Sequence, residues 1–286
     1  MPPSSTHNVS ESETIPEIVL EPRSGWAALD LLELWRHREL AYYLAWRDVK
    51  VRYKQTILGA SWAVLQPLMK TMMFTFLSHV MQRQAEPTEL PYPLVTFASL
   101  LAWQFFEYSV STGGQSLIAS ANLISKVYFP RLLVPLSTIG VGLIDMAVGS
   151  VVLALMMLFY HVAPPLTVLF LPGLLIGLLL ASVGVAALVS ALAVTYRDVR
   201  FVIPFIVQIW MFACPTLYSI DRIPERWRPL YSVNPMAGII GGFRACILGE
   251  TLDPLSLCIS LASSVVVFVV GITYFRRVEK RFADIV

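Results

Sequence analysis

Lys70 and Asp145, two charges in stretches that are otherwise apolar, are the first candidates for chemistry. A charge at mid-bilayer costs about 2.5–3.5 kcal/mol on insertion scales, so each is expected to face protein or water. They could line a polar path or pair across two helices. Alternatively, Lys70 reaches out to the interface and Asp145 is satisfied by neighbouring backbone. Arrangements that would support catalysis are missing. His7, His37, His79 and His161 fall in four separate segments without metal-ligand spacing. There is no GxxxxGK(S/T) phosphate loop and no GxSxG nucleophile elbow. Asp30/Glu33 and Asp221/Glu225 have ordinary surface explanations, and Cys214, Cys246 and Cys258 are too scattered for a disulfide framework. The chain is therefore expected to bind no metal or cofactor of its own and not to be an enzyme.

Composition says what must hold these residues. The 286 residues are 56% hydrophobic and only 14% charged, with a mean hydropathy of +0.67. A soluble domain of this size cannot bury so much apolar surface, so the sequence is that of an integral membrane protein. A net charge of +2 with dispersed basic residues excludes a strongly basic nucleic-acid binder. The first 22 residues are polar, acidic and rich in Pro and Ser, with neither the basic nor the apolar region of a signal peptide. Residues 1–24 are predicted to be a disordered cytoplasmic tail.

Residues 25–56 form a different region. At 100° per residue, Tyr42, Trp46, Val49 and Tyr53 share one stripe, and Arg36, Arg47, Lys50 and Lys54 lie beside it. Aromatic rings flanked by cations suit the boundary between water and lipid, which predicts an amphipathic interface helix. A soluble amphipathic helix packed on protein has the same periodicity, but direct continuation into an apolar stretch favours the interface.

Six apolar stretches follow over residues 57–286: Ile57–Val80, Leu94–Val110, Leu133–Tyr160, Leu166–Thr195, Phe201–Ile220 and Leu255–Phe275. Each is near the ~20 residues that cross ~30 Å of hydrocarbon. The second is the shortest and could extend toward Pro91 or Ser116. Backbone groups must be satisfied inside lipid, so an all-α protein with six transmembrane helices is expected. With the N-terminus inside, the inner connections carry 15 Lys and Arg and the outer ones 5, which places both termini in the cytoplasm. Between spans five and six, NPMAGIIGGFRACILG is apolar but too short to cross. Asn234 suits a helix cap, with Pro235 at the first helical position. One or two short re-entrant helices are expected there, with a helix lying flat on the outer surface as the alternative. Pro67, Pro135, Pro204 and Pro215 permit bends, and Gly140, Gly142, Gly173, Gly177 and Gly184 permit close helix packing.

Four strings in order, AWRDVKVRYKQTILGASWAVLQPL (45–68), ANLISKVYFPRLLVPLS (121–137), YRDVRFVIPFIVQIWMFACPTLYS (196–219) and NPMAGIIGGFR (234–244), carry a resemblance. The chain from about residue 26 onward resembles the permease subunit of bacterial ABC exporters of the type-2 family that move O-antigen, capsule or teichoic-acid chains. The resemblance implies a bacterial inner-membrane location and a homodimer served by two copies of a separate ATPase, which uses the ATP and Mg. The implied substrate is a polysaccharide on a polyprenyl diphosphate, with membrane lipids as further partners and no nucleic acid.

It also assigns residues. Trp46, Arg47, Lys50, Tyr53 and Lys54 would belong to the interface helix. Asn122, Lys126, Tyr128, Phe129, Pro130 and Arg131 would dock in a groove of the ATPase, with Asn122 capping a turn, Lys126 and Arg131 giving charged contacts, and 128–130 forming a rigid apolar knob. Asn234, Pro235, Phe243 and Arg244 would shape the outer exit. The short 196–200 turn admits structural ion pairing as readily as a role in transport. Sugar rings slide over aromatic faces, so Trp62, Trp103, Phe106, Tyr108 and Trp210, with Lys70 and Asp145, are candidates for the path. For each aromatic, an interfacial belt or packing position is the competing explanation. Rival functions are a type-2 ABC exporter of a small molecule or drug, a membrane-embedded transferase acting on lipid-linked sugars, and a passive channel or scaffold.

Overall fold

Thirty consecutive residues from Leu166 to Thr195 carry no ionisable side chain, so nothing but a helix can satisfy their backbone in lipid. The same logic runs through the chain. The computed structural model of the protein describes residues 35–54, 61–80 and 90–279, and every regular element among them is helical. The predicted tail, the first part of region 25–56 and residues 57–60 of the first span lie outside the described residues.

The helices are α1 (Arg38–Lys54), α2 (Ser61–Val80), α3 (Tyr92–Ala119), the single turn α4 (Ala121–Ile124), α5 (Leu133–Phe159), α6 (Leu171–Thr195, entered through a 3₁₀ turn at Leu166–Phe170), α7 (Val199–Phe212), the single turn α8 (Arg228–Tyr231), α9 (Pro235–Leu248) and α10 (Pro254–Glu279). Among the described residues, three segments are long and apolar enough to cross a membrane: Leu133–Phe159, Leu166–Thr195 and Pro254–Glu279. The helix of the second expected span is longer than its apolar stretch, because α3 begins at Tyr92 and continues beyond Val110 to Ala119. The fifth is shorter. It was expected over Phe201–Ile220, but α7 stops at Phe212, where Ala213 caps it and Pro215 follows. Fourteen residues rise only about 21 Å. Apolar composition continues past Phe212, but a proline so soon after the cap cannot continue the ladder.

α3 is the centre, packing against α2, α5, α6, α7 and α9. Its Phe97, Trp103 and Phe106 are fully buried and share one cluster with Leu178 of α6, Val207 of α7 and Phe243 of α9. A second cluster sits at the end where α3 finishes and α5 begins. It joins Leu44 of α1, Leu117, Phe129, Leu132 and Leu133 with Phe275 of α10. The most extensive pairing is α6 on α10, where Gly184 and Gly271 let the two backbones touch.

α9 shows how fully the apolar 235–248 segment is enclosed. Every residue in it except Gly241 is buried against the rest of the protein. Asn234 caps it as expected, accepting from the Met236 amide at 3.1 Å, and Pro235 occupies the first turn. α10 is started the same way. Asp253 accepts from the Ser256 hydroxyl and from the amides of Leu255 and Ser256, and these bonds, the Ser256 hydroxyl foremost, hold its carboxyl below the usual range.

Candidate functional site

The two charges found first in the sequence do face one place, but they do not pair with each other. α1 lies along α5 with Ala45 opposite Gly140, where a Cβ would find Ala45 in ordinary contact. That approach brings Ser137 Oγ to Asp48 Oδ2 at 3.3 Å and carries the end of α1 to Asp145. Asp145 then accepts from Arg52 Nη2 at 2.7 Å and from the Tyr53 hydroxyl. Burial, reinforced by the Asp145 carboxylate, raises the Tyr53 phenol well above its ordinary pKa, so it stays a donor. The Arg52 guanidinium also lies over the Tyr108 ring, 4.3 Å from its centroid. Lys70 takes a different partner: its Nζ lies 2.9 Å from Glu107 Oε2 on α3. Of the alternatives left open by the sequence, a pair between Lys70 and Asp145 is not formed; there are instead two pairs, α1 to α5 and α2 to α3.

Both pairs border a single cavity of about 220 Å³ between the end of α1 and helices α2, α3 and α5. Its polar walls are Arg52, Gln66, Lys70, Gln104, Glu107, Tyr108, Ser111, Thr112 and Asp145, and Leu101, Phe105 and Met146 supply apolar patches. Gly142 makes room at the wall, since a Cβ there would press on Tyr108 at 3.0 Å and Phe105 at 3.3 Å. Sequence reading missed Arg52 and Glu107. Glu107 lies inside the second apolar stretch and was as visible as Lys70 in a census of charges within spans.

The aromatic candidates separate. Tyr108 borders the cavity and Trp62 is exposed. Trp103 and Phe106 have no exposed surface at all, so in this conformation they present no face to a passing chain. They stack in the core instead, Trp103 5.5 Å from Phe106 and Phe106 edge-on to Trp210 at 5.1 Å. Trp210 donates from Nε1 to Asn234 Oδ1 at 3.1 Å, which ties α7 to the cap of α9. Phe243 and Arg244 are buried in α9. Arg244 reaches the Tyr218 carbonyl at 3.0 Å and Glu250 at 2.7 Å, clamping α9 against the segment after α7.

At the other end, the six residues of the 122–131 segment take different positions. Tyr128 is 79% exposed, and Lys126 and Val127 are exposed beside it. Phe129 and Pro130 point the opposite way, with Phe129 5% exposed in the second cluster. The expected three-residue knob is thus one protruding tyrosine on a buried anchor. Asn122 is exposed inside α4 and caps nothing, since Ser120 holds the cap position. Arg131, expected to meet a partner, is held by Glu279 at the last turn of α10: its amide donates to Oε1 at 3.1 Å and its guanidinium to the Glu279 carbonyl. On α1, Trp46, Arg47, Lys50 and Lys54 are exposed, with Lys50 5.4 Å over the Trp46 ring, whereas Tyr53 turns inward to Asp145. In the 196–200 turn Tyr196 is exposed and Arg200 lies over the Phe201 ring at 4.8 Å.

The model of the ABC-2 type transporter family matches residues 39–248, from α1 to the end of α9. A protein named O-antigen export system permease protein RfbA from Klebsiella pneumoniae is 29% identical over 240 residues, covering 84% of this chain and 92% of its own length. A protein of the same name from Myxococcus xanthus is 27% identical over 255 residues, covering 88% and 97%.

Proposed function

The chain belongs to the ABC-2 type transporter family, and from that premise we propose that it is the membrane subunit of a bacterial exporter of lipid-linked polysaccharide. The observation that carries this reading is the near end-to-end likeness to proteins named as O-antigen export permeases. In this account residues 1–24 are a cytoplasmic tail, 25–56 carry the interface helix, and 57–286 form the transmembrane domain in the inner membrane with both termini inside. α2, α3, α5, α6, α7 and α10 are its six crossings. The shortness of α7 supports a re-entrant role for α9, whose buried helix would fill the outer half of the bundle that α7 does not reach. Trp46, Arg47, Lys50 and Lys54 of α1 lie among headgroups, with the rings in the boundary and the cations on phosphate.

Two copies of the chain enclose the path, and a separate ATPase binds below, two copies of it using ATP and Mg. Exposed rings along α7 (Phe201, Phe205, Phe212) and methionines along α2 (Met69, Met72, Met73) give the second copy and lipid apolar surface to meet. The ATPase grips Tyr128 and Lys126. Because Phe129 is packed with Leu44 of α1, Leu133 of α5 and Phe275 of α10, a push on Tyr128 moves those helices together, since packed interiors barely compress.

The test is Tyr128→Ala combined with Lys126→Glu. Both side chains are exposed, so the amount of folded chain should not change. Surface glycan is expected to fall about tenfold or more, the equivalent of ~1.4 kcal/mol of lost docking, and ATPase co-purification should fall with it. Wild-type surface glycan together with normal co-purification contradicts the docking assignment.

A further inference from the structure

The cavity between α1, α2, α3 and α5 has a composition that neither packing nor charge neutralisation requires. Two ion pairs border it, Arg52–Asp145 at 2.7 Å and Lys70–Glu107 at 2.9 Å; Lys70, Glu107 and Asp145 lie in stretches that are otherwise apolar, and Arg52 reaches in from the charged helix α1. These pairs are only part-buried, and ion pairs open to solvent contribute about 0–1 kcal/mol, so stability alone does not explain them. Beside them Gln104 borders the same cavity, and its side-chain NH₂ is buried without a hydrogen-bond partner among the described residues. A buried donor left unmade costs about 1–3 kcal/mol.

We propose that this cavity binds a single uncharged sugar ring, an inference that rests on the glycan reading above. Two cations face two carboxylates, so the site has no net charge with which to attract a phosphate or an acidic sugar, and a diphosphate would meet Glu107 and Asp145 directly. What the walls offer is a dense mixture of donors and acceptors. Lys70 has three N–H donors and directs one at Glu107, and Arg52 has five. Gln66, Gln104, Ser111 and Thr112 can each donate and accept. Hydroxyl groups, which also do both, are the ligand chemistry that matches such a wall. Phe105, Leu101 and Met146 give the apolar patches on which the C–H face of a pyranose rests. The volume of about 220 Å³ holds about seven waters at ~30 Å³ each, which is the scale of one ring. Gly142 keeps that volume open by allowing Tyr108 and Phe105 to lie against α5.

The experiment is saturation-transfer NMR on the purified full-length chain. The probes are methyl α-D-glucopyranoside, methyl α-D-mannopyranoside and methyl α-D-galactopyranoside, with inorganic pyrophosphate as competitor. At least one pyranoside is expected to saturate in the millimolar range and to survive added pyrophosphate. Gln104→Leu should weaken it about tenfold or more while thermal stability holds or rises, because an unpartnered amide has been replaced by an apolar group. Should that variant fail to fold, Thr112→Val reads the same wall from an exposed position, with weaker binding again expected. No saturable pyranoside, equal binding by the folded variant, or displacement by pyrophosphate overturns the proposal. A strain without the gene that no longer exports glycan, alongside no pyranoside binding, removes this site and leaves the exporter reading standing. Saturable, Gln104-dependent binding in a protein whose loss leaves glycan export intact supports the site and removes the exporter reading.

Discussion

Gly271→Ala should abolish recovery of folded protein, the largest effect expected from a single methyl group among the described glycines. Where α6 crosses α10, a Cβ on Gly271 would overlap the carbonyl oxygen, carbonyl carbon and Cα of Gly184. On the facing side, a Cβ on Gly184 would come within 2.6 Å of the Phe268 Cα and 2.7 Å of the Val267 carbonyl oxygen. These are backbone atoms, so no side chain can swing away, and one helix must leave the other. In lipid, where helix association rests on close van der Waals approach, that separation removes the main contact of the bundle. Overpacking ordinarily costs about 1–3 kcal/mol, and contact between backbones belongs at or above the top of that range. Gly241→Ala is the control, since nothing lies within 4 Å of a Cβ there and alanine is the better helix former. Thermal unfolding monitored by size-exclusion chromatography should find Gly241→Ala at or above wild type and Gly271→Ala aggregated. A monodisperse Gly271→Ala protein with wild-type melting would contradict the described helix crossing.

Glu250→Ala should be the next most damaging change, and a second substitution should partly repair it. The Arg244 and Glu250 side chains are 7% and 12% exposed, which makes theirs the most buried ion pair described. Taking away the carboxylate strands a guanidinium that retains only carbonyl partners, at Tyr218 and Pro215. Breaking a buried pair from one side costs about 3–5 kcal/mol, whereas replacing both members by apolar residues is often neutral. Arg244→Leu combined with Glu250→Leu is therefore expected to melt higher than Glu250→Ala. The comparison also reads function: if the clamp between α9 and the segment after α7 matters for export, the repaired protein will be stable yet export poorly. A double variant less stable than the single one would show that Arg244 acts mainly through its carbonyl contacts.

Hydropathy made most of the helices legible, because long uncharged runs leave the backbone no other solution in lipid. The end of α7 was not legible. Ala213 and Cys214 continue the apolar run, and only the cap at Ala213 followed by Pro215 stops the helix. Pairing was illegible for a different reason. Lys70 and Asp145 were visible as charges in apolar stretches, but which partner each takes depends on helix rotation, and Glu107 and Arg52 lie closer. The 128–129 step shows the same limit at its sharpest. Two adjacent aromatics of similar character go opposite ways, one 79% exposed and one 5%, and no periodicity exists in a two-residue turn to tell them apart. By contrast, the cap at Asn234 was readable because Asn followed by Pro is a local signal, settled within a few residues. Burial of Trp103 and Phe106 was not local, since it depends on α7 and α9 closing over α3.

The central claim, that this membrane subunit passes a lipid-linked glycan outward, is tested most directly by where the polymer is found when the gene is deleted. Spheroplasts of the deletion strain, probed with a glycan-binding reagent before and after permeabilisation, should show polymer only after permeabilisation and still attached to its lipid. Restoring the wild-type gene should move it to the surface. Polymer that reaches the surface at the wild-type rate without the gene would contradict the account.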